Sequence, residues 1–194
     1  MLGRLFCALM LTCGIAWAVR ADSDSLSVVS GVISAFDSDV EADEGSACDA
    51  KLRYEPTPQI SKAYIDHDGT RHIVLDPILK SPEQAVHRKF LIAHECAHHE
   101  LKHTTREGLA RRNSLHNAVR DQELSADCRA SEQLFKHDLS DELLGLADEF
   151  WRRGFVSPGQ GYPSGVQRSN IIRHCLDQAS QKVVPKLNHP SPVK

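Results

Sequence analysis

The chain has 194 residues, 41% of them hydrophobic and 25% charged, with a formal net charge of −3 at pH 7. That length suits one domain with a sizeable core, and the apolar fraction is that of an ordinary globular protein. Beyond Arg106, Arg111 and Arg112 there is no basic cluster, so nucleic acid is not an expected partner.

The N-terminus has the pattern of an export signal. A short positive start ending at Arg4 is followed by an apolar run over residues 5–19, and Ala16-Trp17-Ala18 fits a small-x-small cleavage site. Residues 1–18 are expected to be a signal peptide cut after Ala18, with Ala21 as second choice. A run of about 15 residues is short for a membrane span, so a retained anchor is the lesser alternative and no stable membrane insertion is expected after cleavage. Cys13 lacks the preceding small residue that a lipidation site wants. The expected location is periplasmic or secreted. Removal of the signal leaves Cys48, Cys96, Cys128 and Cys175. An even number of cysteines in an exported chain points to disulfides, and three pairings are open.

Residues 19–50 are acidic and serine-rich without Lys or Arg after Arg20. They read as a loosely ordered lead-in, with a short strand or helix over 28–36. Residues 60–66 and 71–76 flank His67-Asp68-Gly69-Thr70, and Asp-Gly between strand-like runs predicts a hairpin. His67 and His72 are expected at its surface. Ser81-Pro82-Glu83-Gln84 predicts a helix start with Ser81 as cap and Gln84 reaching back, the helix running to about His103.

That helix carries His94-Glu95-Cys96-Ala97-His98. Four residues apart, His94 and His98 share one helix face about a turn apart. Two neutral imidazoles so placed can hold one Zn²⁺, and Glu95 beside them can take a proton from a water at the metal. Phe90-Leu91-Ile92-Ala93 would bury the helix, and the small Ala97 would let another element approach closely. A second copy of the motif, His99-Glu100-Leu101-Lys102-His103, follows at once. Five positions rotate it about 140° around the helix axis, so both copies cannot face one metal. The first is favoured, because it follows the apolar run and because Lys102 would bring positive charge beside a cation. His99 and His103 are expected at the surface near the helix C-terminus, with an adventitious second metal site as the lesser alternative.

Residues 104–113 are polar and read as a mobile loop at the cleft rim. A helix over 114–137 follows, with Val119, Leu124, Cys128, Leu134 and Phe135 as its buried side. It also carries Glu123-Leu124-Ser125-Ala126-Asp127, whose two carboxylates share a face. Glu123 supplies the third ligand that a catalytic zinc needs. Asp127 would hydrogen-bond the outer nitrogen of a zinc histidine, His94 above all, and fix its tautomer. Cys96 and Cys128 should then point away from the metal and be structural. Cys48 could cap the metal as a thiolate in a latent enzyme, or tie down the lead-in through a disulfide; the second is the expectation. Ser140 is expected to cap a further helix over 141–153 that Gly154 ends. A Gly- and Pro-rich stretch over 156–165 leads into a last helix over 166–182, and residues 185–194 form a flexible tail.

The pair of motifs, His94-Glu95-Cys96-Ala97-His98 and Glu123-Leu124-Ser125-Ala126-Asp127, resembles the gluzincin zinc metallopeptidases. The likeness is to the HtpX-like family, over roughly residues 64–175, and the short interval between the motifs resembles its compact members. The resemblance implies His94, His98 and Glu123 as zinc ligands, one zinc per chain, Glu95 as catalytic base and Asp127 behind the ligands. It implies an α+β fold: a mainly helical, zincin-like single domain over 51–184, with a small β-hairpin or sheet over the active-site helix. It also implies that an edge strand, read as Ile73-Val74-Leu75, lies above the cleft and pairs with the substrate backbone. Tyr162-Pro163 with Arg168 departs from the family, which has histidine where Tyr162 stands. A phenol can still donate to a developing oxyanion, so Tyr162 is a catalytic candidate and His174 a weaker one. The expected function is a zinc endopeptidase whose partner is a protein or peptide substrate, unfolded or misassembled proteins by the resemblance. A non-catalytic, zinc-stabilised binding or chaperone-like module and a zinc hydrolase of cell-wall peptides are the alternatives.

Overall fold

A computed structural model describes residues 44–114, 117–154, 159 and 161–183. The expected signal peptide, residues 19–43 of the lead-in and the tail over 185–194 lie outside the described residues.

A four-stranded sheet packs on one side of a group of helices. Strands β1 (Glu44–Ala47) and β2 (Ala50–Tyr54) are joined by Cys48 and Asp49, both in the left-handed region at φ 46° and 61°. Two such residues make the tight turn whose twist suits an antiparallel pair. The sheet thus takes in the end of the segment read as loosely ordered lead-in. Strands β3 (Ser61–Ile65) and β4 (Arg71–Leu75) form the hairpin expected from Asp68-Gly69, with Gly69 at φ 82°. Asp66 Oδ1 accepts the backbone N–H groups of Asp68 and Thr70 and closes the loop.

The strand order is β1-β2-β4-β3, with β2 and β4 parallel and the other pairs antiparallel. Strand β4 is therefore central, not the expected edge. Its Ile73, Val74 and Leu75 are all fully buried, the unbroken apolar run of a strand covered on both faces. The edge beside it is β3, which packs against the first helix.

Two 3₁₀ turns, Pro77–Lys80 and Pro82–Gln84, lead into helix α1 (Ala85–Glu100). Ser81 makes no side-chain cap bond; the second 3₁₀ turn hands its backbone directly to the helix. Helices α2 (Arg106–Ser114), α3 (Ala118–Phe135), α4 (Ser140–Arg152) and α5 (Gly165–Val183) follow. Most of the stretch over 104–113 read as a loop, from residue 106 on, is thus helical, although α2 has no buried residue. No helix among the described residues is long and apolar enough to cross a membrane.

Helix α1 lies between two cores. Ile92 and Cys96 pack with Leu52, Ile73, Leu75 and Leu79 under the sheet. Phe90 and Ala93 pack on the other side with Ala130, Leu134, Leu143, Phe150 and Ile172 of the helices. Apolar residues on two sides of one helix explain why Phe90-Leu91-Ile92-Ala93 is continuous rather than striped. Helix α3 departs from the expected buried side. Of the residues named for it only Leu134 is fully buried, while Val119, Leu124 and Phe135 are half-buried. The inward face is instead Ala118, Gln122, Glu123, Ala126, Asp127, Ala130 and Ser131. Alanines there, opposite Ala93 and Ala97 at 0% exposure, let α3 come close to α1 with polar groups between them.

Two disulfides complete the frame, Cys48–Cys96 and Cys128–Cys175. They choose one of the three open pairings. Cys48 is tied to α1 and is not a thiolate cap on the metal. Because each bridge closes a loop of nearly fifty residues, with separations of 48 and 47, its loss frees much of the unfolded chain. Replacing Cys128 and Cys175 together by Ala is expected to lower stability by about 2–4 kcal/mol, read as an earlier urea midpoint. Peptide mapping without reduction should recover the two pairs and no others.

Candidate metal centre

Helices α1 and α3 place three ligand atoms around one point. His94 Nε2 lies 3.1 Å from His98 Nε2 and 3.3 Å from Glu123 Oε2, and His98 Nε2 lies 3.7 Å from Glu123 Oε2. Donors about 2.0–2.1 Å from a tetrahedral centre stand about 3.3 Å from one another, so the spacing fits a single ion. All three residues are buried, and the group could hold a metal ion. Two imidazoles and a carboxylate form the donor set of a site that keeps a fourth position open.

Each ligand is held from behind. His94 Nδ1 lies 2.8 Å from Asp127 Oδ1, and Asp127 is fully buried. Arg168 of α5 donates to Asp127 through Nε at 2.8 Å and Nη2 at 2.5 Å, while its guanidinium lies 4.5 Å from the centre of the Phe150 ring. Glu123 accepts at Oε1 from Arg112 Nη1 at 3.1 Å, leaving Oε2 toward the two histidines. His98 Nδ1 lies 3.1 Å from His103 Nδ1.

Charge at this point follows from the same contacts. Burial opposes an imidazolium at His94, but its hydrogen bonds to Asp127 and Glu123 prevail and push its pKa up to about 10. Burial would raise the Glu123 carboxyl, yet bonds to His94 and His98 hold it well below the usual carboxylate range. Asp127 is likewise lowered against its burial, by Arg168 first and then His94. The surroundings therefore favour positive charge between these side chains, as a cation-binding site requires. Burial and the neighbouring His98 bring His103 down to about 4, so it is neutral beside the cluster.

Glu95 sits between the two histidines in sequence and is 4% exposed. Among the described residues no side chain hydrogen-bonds to it or pairs with it, and its oxygens are not among the sealed, partnerless atoms. Its carboxylate is thus left uncommitted by the described side chains. Tyr162 joins the group at one remove: its hydroxyl accepts from Arg112 Nη2 at 2.7 Å, and the same guanidinium holds Glu123. His174 is exposed on α5.

The second motif copy makes no second site. Helix α1 ends at Glu100, so His103 is not on the same helix face as His99. His99 is buried, not superficial. Its Nε2–H donates to the His72 carbonyl at 3.1 Å and its Nδ1 accepts from the Thr104 hydroxyl at 3.0 Å, which occupies both nitrogens. His72 is also buried, against its expected exposure, stacked on Tyr64 with Nε2 2.9 Å from Asp66. His67 is exposed, as expected.

Arg112 and His103 were not legible as site residues. Arg112 sits in a polar stretch with two other arginines, and nothing in its spacing marks it. The chain matches no protein-family model, no curated protein and no solved structure.

Replacing Arg168 by Met keeps its bulk and removes its charge. It would leave the Asp127 carboxylate buried with one of its three hydrogen bonds, and the expected cost is about 3–5 kcal/mol. Equilibrium unfolding measures it; a loss below about 1 kcal/mol would mean that Asp127 does not depend on Arg168.

Proposed function

We propose that this protein is an exported zinc-dependent endopeptidase. The observation that carries the reading is the buried His94, His98 and Glu123 group, with an uncommitted Glu95 on the same helix. The donor set suits zinc, and zinc held there would supply a Lewis acid that polarises a carbonyl and acidifies a water. Glu95 takes the proton of the attacking water and returns it to the leaving amine. Tyr162, steadied by Arg112, donates to the developing oxyanion. The exposed edge of β3, beside α1, pairs with an extended substrate backbone, a mode that makes little demand on sequence. Resemblance of the two motifs to HtpX-like peptidases supports this assignment, and with it a substrate class of unfolded or misassembled proteins. Two disulfides fit an oxidising compartment, in keeping with the export signal read at residues 1–18.

Digestion of an unfolded protein, with metal analysis of the same samples, tests the reading. The wild type should cleave and hold one zinc per chain. Glu95→Gln should keep the zinc and lose turnover by at least about 100-fold, the low end of what a positioned acid–base group contributes. Equal cleavage by that variant would remove Glu95 from the mechanism. Glu123→Ala should lose zinc; full metal content in it would point to another third ligand. Zinc binding by a wild type that cleaves nothing would favour the non-catalytic binding module.

A further inference from the structure

The tandem His94-Glu95-Cys96-Ala97-His98-His99-Glu100-Leu101-Lys102-His103 holds one motif repeated five residues on. Its second half ends the helix in a particular way. Lys102 stands at φ 61°, its N–H bonds to the His99 carbonyl at 3.2 Å, and the His103 N–H bonds to the His98 carbonyl at 2.9 Å. This pair of bonds around a left-handed residue is the Schellman turn, which brings the residue after the turn back over the residue five positions before it. An apolar contact usually joins those two residues. Here the contact is between imidazoles, with ring centres 5.0 Å apart, planes at 69° and Nδ1 atoms 3.1 Å apart. Lysine in the left-handed region costs roughly 1–2 kcal/mol that glycine would not, so the turn is not the product of a permissive residue.

The turn is also covered from outside. Helix α2 crosses it at Gly108, where a Cβ would meet the Lys102 carbonyl oxygen at 2.3 Å and that of His103 at 2.6 Å. The Gly108 carbonyl accepts from Gln122 of α3, next to Glu123 in sequence. His103 is therefore half-buried in a fixed place.

We propose that His103 is a positioning residue of the metal centre: its Nδ1 accepts the Nδ1–H of His98 and so fixes the tautomer that presents His98 Nε2 to the metal. The inference rests on the metal-centre reading above. It gives His98 the support that Asp127 gives His94 and Arg112 gives Glu123. An imidazole acceptor does this without adding a negative charge, in a cluster that already holds Glu95, Glu123 and Asp127.

The test is zinc affinity by chelator competition on the full chain, with thermal unfolding of the zinc-depleted protein alongside. His103→Leu keeps the packing and removes the acceptor, and the expected loss of affinity is about 10-fold or more. His103→Asn restores an acceptor near the position of Nδ1 and is expected within about 3-fold of wild type. Lys102→Gly, which eases the turn, should bind zinc as wild type does, so that the acceptor and the turn are read separately. The zinc-depleted Leu and Asn variants should unfold at the same temperature. Wild-type affinity in His103→Leu would overturn the proposal, and so would equal loss in the Leu and Asn variants, since packing alone would then explain it. Absence of zinc binding by the wild type would overturn the metal-centre reading itself.

Discussion

Asp127 is a carboxylate with no exposure, and the arrangement of the helices depends on how its charge is met. A buried carboxylate is tolerated only when opposite charge and hydrogen bonds surround it. His94 from α1 and Arg168 from α5 supply both. These contacts link three helices far apart in sequence at one point. The residues of the two helices nearby are correspondingly small: Ala93 and Ala97 of α1 and Ala126 and Ala130 of α3 are all fully buried. Larger side chains at those positions would separate the helices and leave the pair of charges without contact. The close approach and the buried charge thus require each other.

The same constraint explains why α3 is hard to read as an amphipathic helix. Its most buried face holds Gln122, Glu123, Asp127 and Ser131, and of its larger apolar residues Val119, Leu124 and Phe135 are only half-buried. A pattern rule looks for apolar residues inside and assigns the core to Val119, Leu124, Cys128, Leu134 and Phe135, of which only Leu134 is fully buried. It fails where the interior is kept for chemistry, because there polarity marks burial by partners rather than exposure. Spacing succeeded where chemistry is local to one helix. His94 with His98, and Glu123 with Asp127, come together as their four-residue intervals require. The hairpin and the end of α4 at Gly154 were legible for the same reason, since each depends on a few adjacent residues, whereas the even cysteine count announced disulfides without their pairing.

Contacts that cross between elements without a motif behind them were not legible. Arg112 reaches Glu123 and Tyr162 from a segment whose composition reads as loop. Strand β4 was placed at an edge by the family resemblance. Its parallel neighbour β2 lies in a different stretch of chain, and no local signal announces a parallel pair. His72 and His99 look like surface histidines by composition. In the fold the His72 carbonyl accepts from His99, so the pair bridges the sheet and the helix that carries His94 and His98.

The repeated motif shows how position in a helix decides the use of one set of residues. Both copies have histidines four apart with glutamate after the first. The first lies within α1, where the interval of four puts both imidazoles on one face. The second straddles the helix end at Glu100, and the left-handed turn at Lys102 sends its histidines apart. One goes to the sheet and the other back over His98. Cys96, inside the first copy, adds a covalent tie from between His94 and His98 to the β1–β2 turn. Sheet, helix end and α3 therefore constrain α1 from three directions over a single stretch of ten residues. A site assembled this way owes the placement of its ligands to contacts outside the ligands themselves, and the residues making those contacts carry no signature until the chain is folded.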